Sequence, residues 1–297
     1  MTRPVAVGVD GSAAGLAAAE WGAREAQLRE VPLRLVHAWE WQPHAHAPPA
    51  GPEAARRRAE GVPREVTAQL RQRYPDLGVT AELLTGPPPE MLCAAAGEAE
   101  LLVIGTVGVG GLAGFLLGSV AMNTVAHAGR PVVLVRAPRA AQDEQPAQEP
   151  AAVSPRPVVV GVGLSRGCGE VLRFAFDAAT LRAAPLLVVR GWNLPAYHEV
   201  DVIGADPDRA ADVAAAETDD LRKALLPWRE AYPAVDVTEQ AVIGRPAHHL
   251  LDAAAGAGLV VIGRRTPSSK AAPFRIGPVA HAVLHHCPAA VAVVPHH

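Results

Sequence analysis

The chain has 297 residues and a mass of 30.9 kDa, which is enough for two ordinary domains or one large one. Its 27 Lys and Arg residues nearly balance 30 Asp and Glu residues, and the formal net charge of -3 gives no electrostatic reason to expect a nucleic-acid partner. Hydrophobic residues make up 49% of the chain and charged residues 19%, which excludes disorder throughout. The three cysteines form no CxxC pair and the first residues carry no signal-peptide pattern, so we expect a reduced, cytoplasmic protein.

Short apolar runs alternate with stretches of helical composition in the first half of the chain. The runs predict strands at 5–9, 33–39, 79–84, 101–105 and 132–135. The stretches between them predict helices at 13–30, 53–74, 89–98 and 116–128. Ser12 suits the N-cap of the first helix, and Pro89 suits a helix first turn. Strands that are apolar on both faces and separated by helices predict a parallel sheet covered on both sides.

The sequence contains an internal repeat that covers most of the chain. The segment PVAVGVDGS at 4–12 returns as PVVVGVGLS 153 residues later, and LLVIG at 101–105 returns as LVVIG 158 residues later. Five such segments recur in the same order, which indicates two copies of one fold. We therefore predict an α/β protein of two tandem doubly wound five-stranded parallel-sheet domains. The predicted domains are 1–137 and 157–297, joined by an Ala-, Pro- and Gln-rich linker at 138–156.

The uncharged run at 101–126 is long enough to raise the alternative of a membrane span. Its six glycines would each cost about 1 kcal/mol in a helix. The corresponding run of the second copy also contains Arg264, Arg265, Lys270 and Arg275. Charges at a bilayer centre are expensive, so we expect no membrane span.

Glycines after two strand ends of the first copy suggest an anion site. One end reads Gly8-Val9-Asp10-Gly11-Ser12, and the other follows the pattern G-x2-G-x9-G-S from Gly105 to Ser119. Such glycines let backbone N–H groups converge on an anion, and a helix that begins at the last pair adds its positive end. The spacing matches neither the P-loop nor the dinucleotide-binding fingerprint. Two alternatives remain open: a tight strand-to-helix connection without ligand, and Asp10 as a simple turn residue.

At these residues the sequence resembles the universal stress protein family in its tandem two-domain form. The matching segments are VGVDGS at 7–12, LVHAW at 35–39, the glycine loop at 105–119 and HAGRPVVLV at 127–135. The resemblance implies an adenine-nucleotide alpha-hydrolase-like fold with ATP, with or without Mg²⁺, between the first and fourth strands. It also implies a last strand that pairs across domains, and from it we expect a homodimer through the last strands.

The resemblance implies a set of residues that bind the nucleotide. Asp10 would lie near the ribose and adenine, main chain around His37 and Ala38 near the base, and the glycine loop around the phosphates. The full set is Gly8, Val9, Asp10, Ala38, Gly105, Thr106, Val107, Gly108, Val109, Gly110, Gly111, Gly118, Ser119 and Val120. No residue is assigned a catalytic role.

The first copy departs from the family pattern at the loop. Many members carry arginines where this chain has Val107 and Val109, so we expect weaker binding than in an arginine-bearing relative.

The second copy departs further. Gly163 replaces Asp10, Thr266 replaces the second glycine of the loop, and Pro278, which has no N–H, replaces Ser119. We therefore expect one nucleotide per chain, bound in the first copy.

These observations favour an ATP-binding regulatory protein of the stress response that is not an enzyme and has at most weak ATP hydrolysis. The alternatives are a slow ATPase or adenylating enzyme, and a nucleotide-free dimerisation scaffold. His281 and His285 share a predicted helix face with Cys287 nearby, but no compact four-ligand set accompanies them, so we expect no metal site.

Overall fold

The computed structural model describes residues 2–40, 51–106, 117–137, 155–164, 168–192, 207–266 and 276–297. The chain divides into two compact units, Met1–Gln148 and Glu149–His297. The predicted linker at 138–156 lies almost wholly outside the described residues, so the domain limits at 137 and 157 stay predictions.

The first unit is a five-stranded parallel sheet with the strand order β3-β2-β1-β4-β5. Its strands are β1 Val5–Gly8, β2 Leu33–Trp39, β3 Val79–Thr85, β4 Leu101–Thr106 and β5 Val132–Arg136. Its helices are α1 Ala13–Leu28, α2 Gly51–Arg73, α3 Pro88–Gly97 and α4 Ser119–His127.

The second unit repeats this arrangement with the order β8-β7-β6-β9-β10, again parallel. Its strands are β6 Val158–Gly161, β7 Leu186–Trp192, β8 Val237–Ile243, β9 Leu259–Arg265 and β10 Ala290–His296. Its helices within the described residues are α5 Cys168–Leu181, α6 Pro207–Ala231, α7 Pro246–Ala254 and α8 Pro278–His286.

Helices cover both faces of each sheet. A Cβ at Gly22 of α1 would overlap Val7, whereas a Cβ at Gly8 would lie 3.1 Å from Leu92 of α3. Since neighbouring residues of a strand point to opposite faces, α1 and α3 lie on opposite sides of β1. The central strands β1, β4, β6 and β9 are correspondingly buried, which confirms the predicted doubly wound α/β fold.

The predicted helix ends need small corrections. Helix α1 ends at Leu28, because Glu30 takes a left-handed conformation with φ of 55° that breaks the helix before β2. Helix α4 begins at Ser119, where Gly118 is the N-cap, and the predicted start at Leu116 lies outside the described residues. Within the described part of the chain, no helix is both long and apolar enough to cross a bilayer.

Candidate functional site

An open cavity of about 420 Å³ lies at the carboxyl ends of β1 and β4. Here the strand order of the first unit reverses, since β1 is followed in sequence by β2 on one side and contacts β4 on the other. Ligands of open parallel sheets bind at such switch points. The described residues that line the cavity are Gly8, Val9, Asp10, Gly15, Val36, His37, Ala38, Pro88, Leu92, Ile104, Gly105, Thr106, Gly118, Val120 and Ala121.

The turn between β1 and α1 holds a carboxylate at the cavity. Asp10 Oδ1 accepts hydrogen bonds from the Ser12 N–H at 3.0 Å and the Ser12 hydroxyl at 2.6 Å. The Ser12 hydroxyl oxygen in turn accepts from the Gly15 N–H at 3.1 Å, so Ser12 is the N-cap of α1 as predicted. Gly11 between them has φ of 80°, a conformation that favours glycine. Asp10 is therefore a turn residue that also lines the cavity.

The close approach of the α1 backbone to β4 explains why residue 105 is a glycine. A Cβ at Gly105 would overlap the carbonyl group of Ala14 and lie 2.8 Å from the Gly15 nitrogen. Only glycine lets the first turn of α1 pack directly on β4 at the floor of the cavity.

The amino end of α4 reaches the same cavity. Gly118 is the N-cap in an extended conformation (φ -62°, ψ 155°), and Val120 and Ala121 of the first turn line the cavity. The first N–H groups of a helix have no acceptor within the helix, and the helix dipole gives them a partial positive charge. This end of the cavity is therefore suited to an anionic group.

Part of the cavity wall is apolar. Val36, Leu92 and Ile104 belong to the lining, and Leu92 is 5% exposed. The His37 ring hydrogen-bonds through Nδ1 to the Val9 carbonyl at 2.6 Å, which holds the ends of β1 and β2 together. These side chains suit an apolar group better than a charged one.

The structure brings most of the described predicted site residues to one cavity. Eight of them line it: Gly8, Val9, Asp10, Ala38, Gly105, Thr106, Gly118 and Val120. Ser119 begins α4 and is exposed, but it is not among the lining residues. The remaining predicted residues, Val107, Gly108, Val109, Gly110 and Gly111, lie outside the described residues.

Sequence reasoning missed part of the wall. The cavity also uses Gly15, Pro88, Leu92 and Ala121. One sequence signal could have identified Pro88 and Leu92. They are four residues apart, about one helical turn, after the third strand, and the same spacing occurs in the second copy at Pro246 and Leu250.

The corresponding cavity of the second unit is smaller, about 240 Å³. Gly191 stands where the first unit has Ala38, and a Cβ there would overlap Pro246, so α7 closes directly on β7. A Cβ at Gly161 would lie 2.7 Å from Leu250, compared with 3.1 Å for the corresponding pair of the first unit. Helix α7 therefore approaches the sheet of the second unit more closely than α3 approaches that of the first.

The other end of the second cavity is changed by His296. Its ring lies against β9, since a Cβ at Gly263 would lie 2.8 Å from His296 Cδ2. Burial lowers the pKa of His296, and the nearby Arg265 lowers that pKa further. Pro278 opens α8 and contributes no N–H there. The second cavity thus lacks the carboxylate and one helix-end donor of the first.

Histidines of the second unit do not form a metal centre in the described residues. The rings of His281 and His285 on α8 lie 4.4 Å apart between centroids. Across the described parts of both units, no three His, Cys, Asp or Glu side chains are grouped closely enough to hold a metal ion.

Comparison with known proteins places this geometry in context. The sequence model of the universal stress protein family matches residues 1–136 and 155–295. Universal stress protein Rv2005c of Mycobacterium tuberculosis is 33% identical over 290 residues, covering 95% of this chain and 93% of that protein. Universal stress protein Rv1996 of the same organism is 31% identical over 279 residues, covering 87% of this chain and 84% of that protein. A crystal structure of a universal stress protein from Archaeoglobus fulgidus superposes with a TM-score of 0.68 at 15% identity over 98% of both chains, which shows the shared fold.

Proposed function

Because the chain belongs to the universal stress protein family, we propose that it is an ATP-binding regulatory protein of the stress response, acting in the cytoplasm, with the nucleotide held in the first unit only. The observation that carries the proposal is the cavity of about 420 Å³ at the ends of β1 and β4. There a carboxylate, closely packed glycine backbone and a helix N-terminus meet.

The phosphates would lie at the end of the cavity formed by Gly105 and the first turn of α4. Backbone N–H groups and the helix dipole favour an anion at that position. Val107 and Val109 of the loop bring no cation. Backbone donors, with Mg²⁺ where it is bound, would therefore neutralise the phosphates, and we expect modest affinity.

The base and the ribose would occupy the other end. Val36 and Ile104 provide apolar surface for a purine, and the main chain of His37 and Ala38 offers polar groups at the base edge. The two hydrogen bonds that Asp10 accepts from Ser12 in the turn both use Oδ1. Asp10 Oδ2 can then accept a hydrogen bond from a ribose hydroxyl.

The second unit would bind no nucleotide with useful affinity. Its cavity is about 180 Å³ smaller, the difference between about 420 and about 240 Å³. Pro246 lies directly against Gly191, the position equivalent to Ala38, which we expect to be near the base in the first unit. The unit would serve as a structural partner of the first.

The residues that line the cavity favour binding of ATP without its hydrolysis or transfer. Phosphoryl transfer or adenylation needs a base or a cation placed at the phosphates. The described titratable residues of the cavity are Asp10 and His37, and both have hydrogen bonds at the base and ribose end. A slow ATPase or adenylating enzyme remains the second candidate in the test below.

The test is the fate and stoichiometry of radiolabelled ATP incubated with the full chain. We expect one ATP per chain by calorimetry, recovered intact, and displaced by unlabelled ATP more readily than by GTP. Conversion to ADP or AMP at a catalytic rate would favour the enzyme alternative. No bound label would favour the nucleotide-free scaffold, and two ATP per chain would refute confinement to the first unit.

A matched pair of variants locates the site. Ala121 and Ala280 occupy equivalent positions in α4 and α8, line their respective cavities and are each 6% exposed. Ala121→Leu fills the first cavity and should weaken ATP binding by about tenfold or more. Ala280→Leu should leave ATP affinity unchanged. Equal effects of the two substitutions would contradict the proposed location.

The predicted homodimer through the last strands belongs to the same proposal. Sedimentation equilibrium of the full chain tests it, and a mass of one chain at micromolar concentration would contradict it.

A further inference from the structure

The cavity of the second unit differs from that of the first in more than its volume. In the first unit a Cβ at Gly105 would overlap the Ala14 carbonyl, so α1 packs on β4 through its backbone. In the second unit the atoms nearest to a Cβ at Gly263 belong to the side chains of His296 and Val171. Side chains rather than helix backbone therefore bound the cavity of about 240 Å³ beside β9.

An imidazole in this wall has no counterpart in the first unit. His296 lies at the end of β10 and lines the cavity. In the register of the parallel strands, the corresponding residue after β5 is Ala137. The second unit has therefore lost the carboxylate of Asp10 and gained a ring at a different point of the wall.

The described wall offers a ligand no charged partner near neutral pH. No Asp, Glu, Lys or Arg is among the described residues that line this cavity. Burial lowers the pKa of His296, and the positive charge of Arg265 lowers that pKa further, so the ring is uncharged. Pro278 also removes one of the helix-end N–H groups that would stabilise an anion. A charged ligand would lose its hydration here without gaining a partner, so the wall favours an uncharged one.

The rest of the wall is largely apolar, and the volume sets the size of the ligand. The apolar side chains are those of Val162, Val171, Val189, Leu250, Ile262 and Ala280. A cavity of about 150 Å³ lined by such side chains can bind benzene. The cavity of about 240 Å³ therefore has room for one aromatic ring with a small substituent.

We propose that the cavity of the second unit binds a small uncharged aromatic molecule, with one ring and one polar group such as a hydroxyl. The ring would pack against Leu250 of α7 and Ile262 of β9, where burial of apolar surface stabilises the complex. The polar group would lie beside His296, since a neutral imidazole can donate or accept a hydrogen bond. This site does not depend on the proposed binding of ATP in the first unit.

The experiment titrates the full chain, labelled at its Ile and Leu methyl groups, with three compounds of similar size and follows the methyl NMR signals. Benzyl alcohol is uncharged, benzylammonium is positive and benzoate is negative. We expect benzyl alcohol to shift the Ile262 and Leu250 methyl signals with a Kd of about 1 mM. The two charged compounds should bind about tenfold more weakly or less.

The same spectra contain the outcomes that would overturn the proposal. Ile104 is the equivalent of Ile262 in the first cavity, and its methyl signals should shift less. Equal shifts at Ile104 and Ile262, or no saturable shift at Ile262, would show that the second cavity is not a specific site. Benzoate or benzylammonium binding as tightly as benzyl alcohol would refute the selection of an uncharged ligand.

A matched pair of variants locates the ligand. Ala280→Leu fills the second cavity and should weaken the binding of benzyl alcohol by about tenfold or more. Ala121→Leu, the equivalent change in the first cavity, should leave that affinity unchanged. The methyl spectrum of each variant reports whether it is folded, and the comparison of the three compounds on the parent chain needs no variant. Unchanged affinity in a folded Ala280→Leu protein would overturn the proposal.

Discussion

Gly105 lies so close to Ala14 that a Cβ on residue 105 would overlap the Ala14 carbonyl group. The contact joins the end of β4 to the first turn of α1, and both line the cavity that we propose binds the nucleotide. Gly105→Ala should push these elements apart, lower the free energy of unfolding by about 1–3 kcal/mol and weaken ATP binding. Urea unfolding and calorimetry measure the two effects.

Gly263→Ala is the matched control for that substitution. The nearest atom to a Cβ at Gly263 is in the His296 ring, at 2.8 Å, rather than in the backbone. A side chain at the end of a strand can move more easily, so we expect a smaller loss of stability and no loss of ATP affinity. A larger effect from Gly263→Ala than from Gly105→Ala would contradict this account of the two glycines.

The burial of His296 predicts a loss of stability in acid. Burial lowers the pKa of His296, so the folded chain binds a proton at this ring less tightly than the unfolded chain. The stabilising contribution is therefore present above the unfolded pKa of about 6.5 and is lost as the pH falls through the lower folded pKa. After correction for the intrinsic pH dependence of amide exchange, the protection factors of peptides from α5 and β10 should fall below about pH 6.5.

His296→Gln tests this source of the acid sensitivity, since glutamine does not titrate. The pH dependence of the protection factors in β10 should become shallower in this variant. His248→Gln, at an exposed position of α7, serves as the control and should behave like the parent chain. An unchanged pH profile for His296→Gln would assign the acid sensitivity to other groups.

The capping hydroxyl of Ser12 has a local and a functional effect. It accepts from the Gly15 N–H and donates to Asp10 Oδ1, so Ser12→Ala removes the cap and one restraint on the carboxylate. We expect a loss of about 1 kcal/mol in the free energy of unfolding, together with weaker ATP binding. Ser12→Asp, which keeps a capping oxygen, should recover the stability but place a second negative charge beside Asp10. Full ATP affinity in Ser12→Ala would show that the cap does not orient the carboxylate.

The fold could be predicted from the sequence because the same pattern of strand and helix segments occurs in both halves of the chain. Each central strand is a short apolar run, and the segments around Val5 and Leu101 return in order in the second half. The carboxyl ends of parallel strands lie at the same edge of a sheet, so the sequence alone predicts that Asp10 and Gly105 lie at one site.

The parts that could not be predicted depend on packing at a distance. No local pattern indicates that Leu92 of α3 borders the cavity, or that the ring of His296 lies against Gly263. The sequence predicted the loss of a carboxylate at Gly163, but the contraction of the second cavity arises from contacts between helices and strands. Such contacts are set by the approach of whole elements, which residue spacing alone does not fix.

The contact between Pro246 and Gly191 has a consequence for engineering a two-nucleotide protein. Reinstating the lost polar groups through Gly163→Asp and Pro278→Ser would supply recognition chemistry to a cavity that is still about 180 Å³ smaller than that of the first unit. Helix α7 meets β7 through the main chain of Pro246, so trimming a side chain cannot widen the cavity there. A gain of function in this half requires α7 to be re-seated first, for example by a redesigned connection after β8.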